Sequence, residues 1–118
     1  MAKREDLTIK RMLSFIQKKF NERITLNDIA KAGRVSTSTC CRVFKKALQK
    51  SIFDYLLHFR IRRSLRLLTS ESMSITEAAF ASGFSAPSYY GEIFKRILGM
   101  SPGEYRRKFR AGEPLPRM

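Results

Sequence analysis

Apolar side chains recur every three or four positions along most of the chain, the period of helices with one buried face. No useful run alternates apolar with polar residues as a half-buried strand would. The helix starts are also marked. Thr25-x-x-Asp28, Ser51-x-x-Asp54, Ser74-x-x-Glu77 and Ser101-x-x-Glu104 each set a carboxylate three residues after a hydroxyl. This is the capping-box pattern, in which each side chain accepts a hydrogen bond from the other residue's backbone N–H. Pro102 follows Ser101 at a first helical position, where its missing N–H leaves nothing unpaired. The pattern predicts an all-α fold of seven helices, over residues 6–20, 26–33, 37–49, 52–69, 75–82, 86–98 and 102–109.

The pattern also repeats. FKKALQKSIFDY, from Phe44 to Tyr55, returns as FKRILGMSPGEY from Phe94 to Tyr105 at a spacing of 50, while Ile29-Ala30 through Val35-Ser36 returns as Ala78-Ala79 through Phe84-Ser85 at 49. Each copy is a short helix, a tight turn, a longer helix and the start of a third, which is the helix-turn-helix plan. Gly33 and Gly83 fall near the two turns, where a left-handed residue is expected. The expected organisation is a first helix-turn-helix unit over 1–50, a linker helix over 51–70, a second unit over 71–110 and a flexible tail over 111–118.

Helical spacing assigns faces to the longer helix of each copy. In the first, Cys40, Val43, Phe44, Ala47 and Leu48 share an inward stripe, and Ser38, Cys41, Arg42 and Lys45 lie opposite with Lys46 and Gln49 beside them. In the second, Tyr90, Ile93, Phe94, Ile97 and Leu98 face inward, and Ser88, Gly91, Glu92 and Lys95 face outward, a face poorer in positive charge. Small and basic groups so spaced suit a helix in a DNA major groove, where Arg can bond guanine O6 and N7 together. Between the copies, Ile52, Tyr55, Leu56 and Phe59 form one stripe and Leu57, Ile61, Leu65 and Leu68 another on nearly the opposite side. A linker with two stripes closes two cores; at 1.5 Å per residue it reaches ~27 Å, short of the ~34 Å of one DNA turn. Arg60, Arg62, Arg63 and Arg66 fill its remaining surface.

Charge sharpens this reading. Among 118 residues, 24 Lys and Arg face 10 Asp and Glu, a formal net charge of +14, and residues 1–50 hold 13 of the bases against 4 acids. Such an excess favours a polyanionic partner, nucleic acid or an anionic membrane surface. The membrane alternative calls for one continuous apolar face rather than two, and leaves non-specific DNA binding as the related rival. The charged N-terminal stretch MAKREDLTIKRML has neither a signal-peptide nor an anchor pattern, and no run has the length of a membrane span. Cys40 and Cys41, adjacent in sequence, make no disulfide framework, and with His58 as the single histidine they make no metal site. A reduced, cytoplasmic setting follows. Cys40 is expected to pack, and Cys41 to serve as a small residue allowing close approach, with redox sensing the rival. No paired carboxylates, nucleophile–base set or phosphate loop argues for an enzyme, and no cofactor is expected.

Over roughly residues 8–109, and above all in SITEAAFASGFSAPSYYGEIFKRILGMSPGEYRR from Ser74 to Arg107, the chain resembles the DNA-binding domain of the AraC/XylS transcription regulators. The resemblance implies seven helices in two helix-turn-helix units joined by a long helix. It further implies double-stranded DNA and RNA polymerase as partners, an activator's role, binding of an asymmetric site by one monomer, no small-molecule ligand in this domain, and a place at the bacterial nucleoid. By position, its base-reading places fall on Ser38, Cys41 and Arg42, and on Pro87, Ser88, Tyr89 and Glu92. Lys45, Lys46, Lys95 and Arg96 are the candidate phosphate contacts beside them. Two positions depart from the family pattern: Arg34 stands where Gly is frequent, and Gly91-Glu92 where a polar residue followed by Arg is common. A carboxylate at 92 is repelled by phosphate unless it accepts a bond from cytosine N4.

Overall fold

A computed structural model describes residues 2–118. They form seven α-helices and no strand: α1 (Ala2–Lys19), α2 (Leu26–Gly33), α3 (Thr37–Leu48), α4 (Ile52–Leu68), α5 (Ile75–Ala81), α6 (Pro87–Leu98) and α7 (Pro102–Arg110). The ends agree with the sequence pattern to within one residue except at the start, where α1 begins at Ala2 instead of residue 6. Ala, Lys, Arg and Glu are strong helix formers, and Glu5 in the first turn opposes the positive end of the helix dipole. Contacts divide the chain into two compact units, the first ending at Leu56 and the second running from Leu57 to Met118.

The first unit closes over Met12, Ile16, Ile29, Cys40, Val43 and Phe44, joined by Ile52 and Leu56 from the beginning of α4. Cys40 fills the centre of this core, its Sγ 3.2 Å from the Sδ of Met12. Burial, reinforced by the neighbouring Cys41, raises the Cys40 pKa to about 11, so the thiol stays protonated and packs as a small apolar group. The second unit repeats the plan with Ile61 and Leu68 from the rest of α4, Ala78, Ala79, Tyr90, Ile93, Phe94 and Tyr105. The two apolar stripes of α4 therefore serve different cores, as their opposite placement requires. Within the second core, Tyr90 donates from its hydroxyl to Ser64 Oγ at 2.9 Å, and Ser64 donates on to Ile61 O. Burial raises the Tyr90 pKa to about 12 against the effect of that bond. Arg106 ties the middle of α7 to the end of α4 and the loop before α5 by donating to Leu68 O and Met73 O.

Capping boxes form at three of the starts that the sequence marked. Thr25 Oγ1 and Asp28 exchange bonds with each other's backbone N–H at 3.1 and 3.0 Å, and Ser74 with Glu77, and Ser101 with Glu104, do the same. These backbone donors hold the Asp28 and Glu77 carboxyls below their ordinary pKa values. Ser51 Oγ accepts from the Asp54 N–H at the start of α4. Pro87 opens α6 after Ala86, which offers no side-chain cap.

Two expectations need correction. Ala47, placed on the inward stripe of α3, is exposed; a single methyl does not reach a neighbour there, whereas the larger Ile97 at the equivalent place of α6 is half-buried. In the segment 111–118, Glu113 pairs with Arg107 and Lys108 at 3.6 and 3.4 Å, and Leu115 packs on the second core. Gly33 is helical, and the left-handed residue of the first turn is Arg34, at φ 61° and ψ 41°. Gly33 is needed for space: a Cβ there would lie 2.9 Å from Met12 Cγ.

The two copies thus solve the same turns with different residues. The second uses Gly83 at φ 98° and, after its longer helix, Gly99 at φ 78°, whereas the first uses Arg34 and Gln49, both at φ near 60°. An L-residue with a Cβ carries about 1 kcal/mol of strain in that region. Gln49 recovers part of it by donating from its amide to Lys46 O at 2.9 Å. Arg34→Gly is therefore expected to stabilise the first unit by up to about 0.5 kcal/mol, the relieved strain slightly exceeding the added freedom of the unfolded chain. A higher urea midpoint checks this; a lower one would show that the Arg34 side chain contributes more than its backbone conformation costs.

Candidate nucleic-acid interface

The turn between α2 and α3 and the inward stripe of α3 together fix what the first unit presents. Ser36 caps α3 by accepting from the Thr39 N–H at 3.2 Å. Cys40, Val43 and Phe44 hold one side of the helix in the core, and the other side leaves Ser38, Cys41, Arg42, Lys45 and Lys46 exposed. All five candidate contacts of the first copy therefore lie on accessible surface. An open, largely apolar groove of about 550 Å³ runs beside them, between Ser38, Cys41, Arg42 and Lys45 on one side and Leu26, Ile52 and Phe53 on the other. Phe53, in the first turn of α4, is 49% exposed, far more than its apolar neighbours Ile52 and Leu56. The sequence offered a sign of it: the second copy has Gly103 at the matching place, so the first carries an aromatic ring for which the repeat has no packing role.

In the second unit α6 is held by Tyr90, Ile93, Phe94 and Leu98, and Pro87, Ser88, Tyr89, Glu92, Lys95 and Arg96 are exposed. Tyr89 is 42% exposed and rests edge-on against Phe84, the rings 5.9 Å apart. Burial lowers the pKa of Arg60 on α4, also in this unit, with the nearby Tyr89 acting in the opposite direction. By the spacing of 50, Ser88 matches Ser38, Lys95 matches Lys45 and Arg96 matches Lys46, but Glu92 takes the place of Arg42. The two faces are alike in shape and differ in charge at their centres.

Two features of the first unit were not legible in the sequence. Glu5 of α1 reaches the recognition face of α3, its Oε2 3.8 Å from Arg42 Nη1 and its Oε1 3.8 Å from Lys46 Nζ. A contact between residues so far apart in sequence leaves no periodic signal. A second opening, about 450 Å³ and lined by Lys10, Arg11, Lys18 and Arg34 with Ser14 and Phe15, carries four cations and no acid. Among the described residues no group of His, Cys, Asp and Glu is placed to hold a metal, and no helix is long and apolar enough to cross a membrane.

Two units of this build, each showing the outer side of its second turn-linked helix, define a tandem helix-turn-helix DNA-binding domain. A family model described as a helix-turn-helix domain matches residues 29–108, and the chain belongs to that family, in its AraC type. It is a transcription-regulator domain that binds DNA and not an enzyme. The chain is similar, at 40% identity over 99 residues, to the uncharacterized HTH-type transcriptional regulator YdeC of Bacillus subtilis (strain 168), a match covering 84% of this chain and 34% of that protein. The melibiose operon regulatory protein of Escherichia coli (strain K12) is 28% identical over 99 residues, covering 84% of this chain and 33% of its own. Among solved structures, the DNA-binding domain of AdpA in complex with a target DNA has a TM-score of 0.83 at 26% identity, covering 92% of this chain and 96% of that one. The chain spans about a third of the length of the curated relatives it matches.

Proposed function

We propose that one copy of this domain reads an asymmetric duplex site through two successive major-groove segments, α3 entering one and α6 the other, and that it activates transcription in contact with RNA polymerase. The observation that carries the reading is the direct repeat of one exposed face: Ser38, Arg42, Lys45 and Lys46, then Ser88, Glu92, Lys95 and Arg96, at the same register in a single chain. A two-fold dimer reads a palindrome because its halves are related by rotation; two copies written head to tail in one chain have no such symmetry.

Each exposed side chain has a role that its chemistry fits. Arg42 offers a fork of donors to guanine O6 and N7. Ser38 and Cys41 are small enough to let the helix approach base edges, and the apolar groove leading from them to Phe53 suits a thymine methyl, which projects into the major groove. Lys45, Lys46, Lys95 and Arg96 neutralise phosphates and set the register without reading sequence. In the second unit Pro87, Ser88 and Tyr89 meet the bases, and Glu92 accepts a bond from cytosine N4 or contributes nothing.

Selection of binders from random duplexes, followed by footprinting, tests the proposal. The expected site is non-palindromic, with two short boxes about 10 bp apart, protected by one protein per duplex. A palindrome protected only by a pair of molecules would refute it. Protection of one box would restrict base readout to the first unit.

A further inference from the structure

We propose that Glu5 is a specificity-determining residue: a carboxylate on α1 that holds the recognition cation Arg42 away from phosphate and leaves it able to read a base. The inference rests on the reading of α3 as the base-contacting helix. Glu5 places one oxygen 3.8 Å from Arg42 Nη1 and the other 3.8 Å from Lys46 Nζ, so a single acid is shared by two cations on the face that meets DNA. The three side chains are 39% to 73% exposed, and exposed pairs of this kind are weak. Glu5 is thus a counter-ion that DNA can displace and no part of what holds the fold together.

The geometry separates two kinds of DNA contact. Because Glu5 meets Arg42 at Nη1, the edge formed by Nε and Nη2 stays open, and that edge can donate two bonds to guanine O6 and N7. A guanine contact therefore coexists with Glu5. A phosphate contact by Arg42 does not: where no guanine is in reach Arg42 turns to the backbone, and the phosphate meets the Glu5 carboxylate at close range and either repels it or takes its partner, whereas the Lys46 contact with phosphate is common to both kinds of duplex. Glu5 accordingly opposes non-specific binding more than specific binding. The second unit has no comparable arrangement, since Glu92 stands in place of the base-reading Arg and no ion pair of Lys95 or Arg96 forms among the described residues.

The test compares Glu5→Gln with Asp6→Asn, a neighbouring exposed carboxylate on α1 that makes neither contact, on the duplex selected by the wild-type protein and on a scrambled duplex of the same composition. Both variants remove one negative charge, so general attraction to DNA rises equally. Glu5→Gln is expected to tighten binding to the scrambled duplex by a further ~3–5-fold, the scale of an exposed pair, with little change on the selected duplex. The ratio of the two affinities should fall about threefold or more, and Glu5→Ala should reproduce the effect. In an Arg42→Ala background that ratio should no longer respond to Glu5→Gln, a dependence that a merely structural role would not show. Equal effects of Glu5→Gln and Asp6→Asn on both duplexes would overturn the inference and leave the base-reading proposal standing. A wild-type protein with no preference between the duplexes would overturn both.

Discussion

A fourfold rise in salt, from 50 to 200 mM, is expected to weaken DNA binding by about 10³–10⁴-fold, with log K falling against log salt at a slope near −5 to −7. The expectation follows from counting cations that can meet phosphate. Lys45, Lys46, Lys95 and Arg96 flank the two recognition faces and are exposed, and Arg62 and Arg66 of α4 are exposed as well. Lys10, Arg11, Lys18 and Arg34 line a cleft without an acid. Engagement of ~6–8 of these releases a matching number of counter-ions from the duplex, each adding about 0.9 to the slope. The net charge of +14 leaves ample excess over the few cations held in ion pairs. Titrations at several salt concentrations measure the slope directly. A value shallower than about −2 would show that phosphate contact is minor and that the charge serves another purpose.

Much of this molecule was legible in the sequence because its signals are local. A capping box spans four residues, and each of Thr25–Asp28, Ser74–Glu77 and Ser101–Glu104 closes as the letters say. The inward stripes of α3 and α6 recur at helical period, so Phe44 and Phe94 declare their burial twice. The exposure of the candidate contact residues follows from the same geometry, as the opposite side of those stripes. What stayed hidden depends on contacts between elements. Glu5 looked like one acid in a basic segment until α1 brought it against α3. Gly33 resembled a turn glycine, although its proximity to Met12 across two helices is what excludes a side chain. Arg34 carries the left-handed turn because the repeat requires that backbone at the position matching Gly83, and residue type alone could not say so. Leu115 reads as part of a polar tail, and only the second core gives it somewhere to pack.

Unequal reading by the two units is the other large effect expected. Arg42→Ala should weaken binding to the selected duplex by about 5- to 150-fold, equivalent to about 1–3 kcal/mol, and relax the preference at one or two base pairs. Its side chain is exposed on the outer face of α3, and it is the one arginine among the five candidate contacts of that face. Glu92 occupies the same register in α6 with the opposite charge, so Glu92→Ala should leave affinity unchanged or raise it, since a carboxylate near phosphate opposes binding. Glu92→Arg carries the comparison further by giving the second unit the residue of the first. It should tighten binding to any duplex through its added charge, and on a selected pool it should bring in a guanine at the second box. Selections with the wild-type and Glu92→Arg proteins, run side by side, would display that change as a new preference confined to one box. Should Glu92→Ala abolish specific binding while Arg42→Ala has no effect, the roles are reversed: α6 would be the principal reader, its carboxylate a cytosine contact, and α3 with its shared cations would serve to hold the backbone.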